Sequence, residues 1–550
     1  MNPTSKLLFT LLSLLAATTT TFPLATHGAA PAELGFSATD MVVGCLPREQ
    51  DALLAFKRGI KSDPLGLLTS WRPDGGDHDC CRWRGISCSN LTGHVIKLQL
   101  NGAYVDERQE TLGLAGEISP QLHNLDRIEH LDLDINLLQG PSGRIPKFLG
   151  SMKSLRYLSL SNIPFTELLE MLSHGSKKLR QLKMAMNDIS GTLPVGMLQQ
   201  FADLDILDFR NNNLTGHVST EIGMLTSLTY MDLSHNNLSG VITEEHFASL
   251  KRLTYMDLSY NSLRIAVDPG WIAPFRLQHA CFASFQMGPQ FPSWLQGQVD
   301  ITYFDISIFC ITDKLPDRFW TTFSKVKYLD FSNNGISGAL PTNMENMPME
   351  YLQLGSNQIS GQIPPLPRNI TLLDVSNNSL QGPLPSELIV PQNHMEVLIL
   401  SSNKLSGRIP RSLCRMQYLN TLDLANNIFR GDFPCFGLKN VEVLLLSNNH
   451  FSGTFPAFLE RCTQLLVIDL SRNNFSGKLP MWIGDKEKLL FLRLSYNAFS
   501  GFIPANFTNL KNLCHLDLAS NNLSGNIPWG LSNLEAMKKG SSIVVQIYIP

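Results

Sequence analysis

The chain has 550 residues, 43% hydrophobic and only 17% charged, with 39 Gly and 31 Pro, a composition that excludes a collagenous or disordered polymer. Lys and Arg total 44 against 47 Asp and Glu, so the net charge of -3 lacks the concentrated positive charge on which nucleic-acid binding depends. At ~150 residues per domain the length suggests three or four globular domains, a division that internal repetition overturns.

At the N-terminus, Lys6 precedes an apolar run from Leu7 to Ala17, and Gly28-Ala29-Ala30 offers a small-residue cleavage site. This is the pattern of a secretory signal peptide over residues 1–30. The run is shorter than the ~20 residues that span a bilayer, and no later stretch is long enough. The mature chain is therefore expected in the secretory pathway, where disulfides persist. Residues 31–94 follow, with four cysteines, Cys45, Cys80, Cys81 and Cys88, that the sequence alone allows to pair in three ways.

From residue 95 to about 536 one phrase recurs: Leu398-x-Leu400-x-x-Asn403-x-Leu405-Ser-Gly407-Arg-Ile-Pro410 returns as Leu516-x-Leu518-x-x-Asn521-x-Leu523-Ser-Gly525-Asn-Ile-Pro528. Eighteen units begin between Val95 and Leu513, with a typical spacing of 24, and are irregular near 264–325. Leucines at the fourth and sixth positions alternate with polar residues, which predicts one short half-buried strand per unit. Stacked units pair those strands in parallel, bury the leucines and present polar residues on a concave sheet, a binding arc better suited to a macromolecule than to a metabolite.

The ninth position is Asn in fourteen units: Asn136, Asn187, Asn212, Asn236, Asn261, Asn334, Asn357, Asn378, Asn403, Asn427, Asn449, Asn473, Asn497 and Asn521. A buried carboxamide there satisfies backbone groups that lose their ladder partners where the chain turns inward, a structural role. Ala103, Ile163, Phe285 and Phe309 replace it in the other four, so packing near 277–325 is expected to differ.

The pattern L-x-x-L-x-L-x-x-N-x-L-x-G-x-I-P resembles the plant extracellular class of leucine-rich repeats. The resemblance implies an α/β repeat: a solenoid with a curved parallel β-sheet on its concave face, loops and short 3-10 turns on its convex face, and a disulfide-bonded N-terminal cap. The segment with Cys45, Glu49, Ala52-Leu53-Leu54, Phe56-Lys57, Asp63-Pro64, Ser70-Trp71, Asp79-Cys80-Cys81, Trp83, Gly85 and Cys88 looks like that cap, and by resemblance Cys45 pairs with Cys80 and Cys81 with Cys88. Val267-Asp268-Pro269-Gly270-Trp271, Pro274-Phe275-Arg276-Leu277 and Gly288-Pro289-Gln290-Phe291-Pro292-Ser293-Trp294-Leu295 resemble the plant receptor-like proteins that include receptors for fungal ethylene-inducing xylanase.

That family implies pathogen perception: an extracellular protein or glycan ligand, a receptor-like kinase as co-receptor, and a membrane helix that this chain lacks, residues 537–550 reading as a truncated end. Location at the plasma membrane follows for an anchored product, and in the apoplast otherwise. The alternative is a secreted inhibitor resembling polygalacturonase-inhibiting proteins, which have the same repeat in about ten units. No cofactor, metal or enzyme activity is expected.

On each strand the third, fifth and seventh residues point to the concave side. The third positions of six consecutive units, Tyr230, Tyr255, His279, Tyr303, Tyr328 and Tyr351, form a candidate ligand-contact patch, because tyrosine combines a rigid apolar face with a hydroxyl and could also stack on sugars. The fifth positions form a column of Asp: Asp132, Asp208, Asp232, Asp257, Asp305, Asp330, Asp374, Asp423, Asp469 and Asp517. It repeats with the fold, and no His or Cys cluster is expected beside it, so its role reads as structural or electrostatic, favouring a basic ligand. Eight glycosylation sequons stand at Asn90, Asn213, Asn237, Asn369, Asn377, Asn474, Asn506 and Asn522. Cys414 and Cys435, one unit apart at similar late positions, are expected to bridge, whereas Cys281, Cys310, Cys462 and Cys514 are not.

Overall fold

The computed structural model describes residues 44–72, 79–105, 110–140, 143–166, 177–193, 200–285, 288–388, 394–435 and 437–538. The expected signal peptide, residues 31–43 and most of the segment 537–550 lie outside them. Two compact units are present, one formed by the residues to 341 with 346–359, the other by 342–345 and the residues from 360 onward.

The first unit begins with a helix, Pro47–Gly59, favoured by Pro in its first turn and by Glu49 and Lys57-Arg58 placed to suit its dipole. It buries Ala52, Leu53 and Phe56, and Phe56 packs on Trp71, which stacks on Trp83 at 5.5 Å. Glu49 is also buried because it joins cap to repeat: its carboxylate accepts from the Val95 N–H at 2.7 Å and lies 2.8 Å from His94 Nδ1. Cys45 is bonded to Cys80 and Cys81 to Cys88. The short strand Ile86–Cys88 pairs antiparallel with Val95–Gln99, so the cap occupies the open edge of the sheet that follows.

Parallel pairing then runs through His130–Asp132, Tyr157–Ser159, Gln181–Lys183, Ile206–Asp208, Tyr230–Asp232, Tyr255–Asp257, His279–Cys281, Tyr303–Asp305, Tyr328–Asp330 and Tyr351–Gln353. In the second unit it runs from Leu372–Asp374 through Val397–Ile399, Thr421–Asp423, Val443–Leu445, Val467–Asp469 and Phe491–Arg493 to His515–Asp517. The middle residue of each strand is buried in the first ten strands after the cap, as Leu131, Leu158, Leu182, Leu207, Met231, Met256, Ala280, Phe304, Leu329 and Leu352 show. Short 3-10 turns such as Thr220–Met224 and Met481–Asp485 carry the return path.

The chain leaves these strands by a left-handed residue directly before the ninth position, from Ile135 and Asn211 to Asn426 and Ser520. This turn strips partners from the backbone, and the asparagines replace them. Asn427 donates to the carbonyls of Leu400, Leu424 and Ala425 and accepts from the Leu405 N–H, linking successive coils. Where Ala103 replaces Asn, the chain instead departs into an antiparallel hairpin, Ala103–Val105 with Glu110–Leu112.

The irregular region has its own physical cause. A second row of short parallel strands, Ser190–Thr192, Asn213–His217, Asn237–Ile242 and Ser262–Ile265, halts there, and among the described residues from 266 to 336 only a lone bridge from Lys314 to Ser337 continues the pattern. Rings fill the space: Trp271, Phe275 and Phe282 pack around Trp294 with Phe285 on Phe282, and Phe291, Phe304 and Phe319 pack around Phe331 with Phe323 against Phe304. Phe285 and Phe309 are buried in the positions of the missing asparagines. Buried Gln298 supplies part of the lost function, accepting from Leu277 N–H at 2.9 Å and donating to Phe275 O.

Candidate functional site: an aromatic ladder beside a column of aspartates

In-register parallel pairing sets Tyr230, Tyr255, His279, Tyr303, Tyr328 and Tyr351 side by side on the solvent face of the first unit's sheet. Their rings form a stack. Centroids are 3.9 Å apart for Tyr230–Tyr255, 3.9 Å for Tyr255–His279, 4.2 Å for His279–Tyr303 and 4.0 Å for Tyr303–Tyr328, with interplanar angles of 18°, 12°, 13° and 4°. Tyr351 ends the run, tilted 39° at 5.7 Å from Tyr328. All six are half-buried.

This geometry corrects one expectation. Rings from Tyr255 to Tyr303 have both faces covered by neighbouring rings, so they offer edges and hydroxyls and no face on which a sugar could stack. Some hydroxyls are also engaged: Gln353 donates to Tyr328 Oη at 3.0 Å, and Tyr230 donates to Asp232 at 3.3 Å. Burial raises the phenols of Tyr230, Tyr255, Tyr303 and Tyr328, keeping them neutral donors, and lowers the His279 imidazole to about 3, keeping it neutral too. Three further close stacks between adjacent coils were not expected, His130 on Tyr157 at 3.9 Å, His235 on Tyr260 at 4.3 Å and, in the second unit, Phe491 on His515 at 4.5 Å. Their signal was present, since each pair occupies equivalent positions of adjacent units.

The Asp column has a local task at every level. One carboxylate oxygen of each of the ten accepts from the backbone N–H two residues on, at 2.8–3.3 Å, as from Ser234 to Asp232 and from Ala425 to Asp423. The strand has just ended there, so the side chain replaces a lost sheet partner. Desolvation raises the acids of Asp208, Asp232, Asp257 and Asp305 in the first unit and Asp374 and Asp423 in the second. Arg210 lies 3.9 Å from Asp208 and 3.6 Å from Asp232, and Arg493 lies 3.8 Å from Asp469 and 3.3 Å from Asp517. In the second unit a hollow of about 300 Å³ opens over this column, lined by Asp423, Asp469, Arg472 and Arg493 among small residues such as Ser401, Ala425 and Ser447.

A second expectation is corrected at Asp257. A His and a Cys do join the column: His279 Nε2 lies 3.2 Å from Cys281 Sγ, and donor atoms of Asp257, His279 and Cys281 all lie within 4.8 Å of one another. The cluster is invisible in linear spacing because the register pairs Asp257 with Cys281 across adjacent coils.

Elsewhere, Cys414 and Cys435 are bonded, with Cα atoms 4.7 Å apart, while Cys281 and Cys462 are buried free thiols, Cys310 is exposed and Cys514 is half-buried. Asn90, Asn213, Asn237, Asn369, Asn377, Asn474 and Asn522 are exposed. Asn506 is not; its side chain donates to Met481 O at 2.6 Å.

Family models of the leucine rich repeat N-terminal domain match residues 46–89, and those of the leucine rich repeat match eight segments between 227 and 534. The chain is 35% identical to receptor-like protein EIX2 of Solanum lycopersicum over 369 residues, which is 64% of this chain and 33% of that protein. It is also 35% identical to receptor-like protein EIX1 of the same organism, over 53% of this chain and 26% of that one.

The chain is a leucine-rich-repeat protein similar to the plant receptor-like proteins.

It spans about a quarter to a third of the length of these two relatives. Among solved structures it is similar to the Arabidopsis receptor kinase HAESA in complex with the peptide hormone IDA and the co-receptor SERK1, at 26% identity and a TM-score of 0.68, covering 89% of each chain. A second HAESA ectodomain complex, with an N-terminally extended IDA peptide, matches at 25% identity and a TM-score of 0.72, over 88% of this chain and 84% of that one. Among the described residues no helix is long and apolar enough to cross a membrane.

Proposed function

We propose that this receptor-like ectodomain binds an extracellular polypeptide in pathogen perception and passes the event to a partner receptor-like kinase, by binding without catalysis. The observation that carries the reading is the aromatic ladder. Five consecutive strands align tyrosine or histidine rings at 3.9–4.2 Å, leaving a continuous strip of ring edges and neutral hydroxyl donors on a rigid sheet. Such a strip matches the repeating amides and side chains of a polypeptide, and rigid aromatics contribute contact area at little entropic cost. The covered ring faces count against a glycan. The complex of peptide and co-receptor with the similar HAESA ectodomain supports the same arrangement of ligand and partner.

The test is a binding panel on the secreted, glycosylated chain, using a fungal ethylene-inducing xylanase, a polygalacturonase, and xylan and chitin oligosaccharides as probes, each with and without the SERK1 ectodomain. Saturable binding of the xylanase, strengthened by SERK1, is expected. Binding of oligosaccharides alone would overturn the polypeptide reading, and inhibition of polygalacturonase with no SERK1 effect would replace the receptor by a secreted inhibitor.

A further inference from the structure

We propose that Asp257, His279 and Cys281 form a zinc-binding site at the centre of the aromatic ladder, with three protein ligands and one position open to the solvent face. The three donors are a carboxylate oxygen, an imidazole nitrogen and a sulfur, the set that suits a borderline-soft divalent ion. The imidazole nitrogen and the sulfur are close to the required spacing. Tetrahedral zinc with ordinary Zn–N and Zn–S bonds separates those two donors by about 3.6 Å, and His279 Nε2 lies 3.2 Å from Cys281 Sγ. Closing the third side needs the Asp257 oxygen only to approach from within 4.8 Å.

The surroundings hold each ligand in place. His279 is clamped between Tyr255 at 3.9 Å and Tyr303 at 4.2 Å, which fixes the plane of the ring. Asp257 is held in place by Ser259, whose N–H donates to one carboxylate oxygen at 2.9 Å and whose side chain also bonds the carboxylate. Cys281 is buried and unbridged, and it sits in register between Asp257 on one strand and Asp305 on the next. Arg210 offsets Asp208 and Asp232, but no ion pair among the described residues reaches Asp257 or Asp305. A divalent cation at this point would favour the ionised Asp257 carboxylate that burial disfavours. On binding, a Zn–S bond replaces the thiol S–H bond and the proton leaves to bulk water.

The experiment strips the whole secreted chain with a chelator, returns Zn²⁺ or Co²⁺ alone, and reads metal content together with the thiolate-to-cobalt charge-transfer band. Variants are Cys281→Ala, His279→Phe, which keeps the ring stack, and Asp257→Asn, which keeps the bond from Ser259. Cys310→Ala and Cys462→Ala control for two other thiols outside the disulfides. One zinc per chain is expected in the wild type and both controls, with affinity reduced at least tenfold in each site variant and the cobalt band absent only from Cys281→Ala. Absence of stoichiometric zinc from the wild type, or unchanged binding in Cys281→Ala and His279→Phe, would overturn the site. Neither outcome depends on the polypeptide ligand, so the site and the receptor reading fail separately.

Discussion

Replacing Asn427 with Ala removes one rung of the asparagine ladder and nothing else of comparable size. Its amide donates to Leu400 O of the preceding coil at 2.9 Å and, in a shared fashion, to Leu424 O at 3.3 Å and Ala425 O at 3.2 Å, while its oxygen accepts from the Leu405 N–H at 2.9 Å. Leu400 and Leu405 are fully buried, so water cannot take over. Each orphaned buried group costs about 1–3 kcal/mol, which for the Leu400 carbonyl and the Leu405 amide gives about 2–6 kcal/mol. The middle of that range, about 4 kcal/mol, is roughly a thousandfold in a local opening equilibrium. Because a long repeat array need not unfold in two states, the assay is native-state hydrogen exchange of the segment around Leu405, compared with the exposed Lys404→Ala control, for which about twofold is expected. Acceleration of less than tenfold in Asn427→Ala would refute the view that these asparagines carry the coil-to-coil bonding.

Three further outcomes concern the bridge, the sequons and the buried acids. Loss of the Cys414–Cys435 bridge, at a sequence separation of 21, is expected to cost about 3 kcal/mol through the unfolded chain, read as a lowered denaturant midpoint in the double Ser variant. Mass spectrometry of the secreted protein should find glycans at the seven exposed sequons but not at Asn506, whose side chain bonds Met481 O and packs against Gly484 with no room for a Cβ. Burial raises the acids of Asp374 and Asp423, so the folded chain keeps protons that the unfolded chain has already released. Stability is therefore fullest below the ordinary carboxylate pKa and declines as pH rises through that range toward the raised values. The melting temperature should fall over that window, and Asp423→Asn, which keeps an oxygen for the Ala425 N–H, should flatten the fall; a rise with pH would reverse the assigned sign.

Much of the fold was legible because the forces that build it act once per coil. Leucines, the turn Asp and the ladder Asn recur at fixed positions, so their period exposes their roles. The chain's exceptions also signalled themselves: Phe285 and Phe309 in place of Asn mark where rings replace hydrogen bonds. What linear spacing hid is contact across coils. Asp257, His279 and Cys281 look unrelated until parallel register sets one strand beside the next. The ring stack was hidden in the same way, since residue identity predicts tyrosines on one face but not that they cover each other's faces. The antiparallel pair of Ala103–Val105 and Glu110–Leu112 announces itself only as a missing Asn, because these strands pair with each other rather than with neighbouring coils.

The central claim is that the ladder's edge is the surface a polypeptide touches. Its most direct test is the affinity of the Tyr255→Ala, Tyr303→Ala, Tyr328→Ala triple variant for the xylanase probe, measured beside its melting curve and beside Lys404→Ala. A folded triple variant that has lost at least tenfold in affinity, with Lys404→Ala unchanged, is the predicted result. A folded triple variant that binds as the wild type does would contradict it.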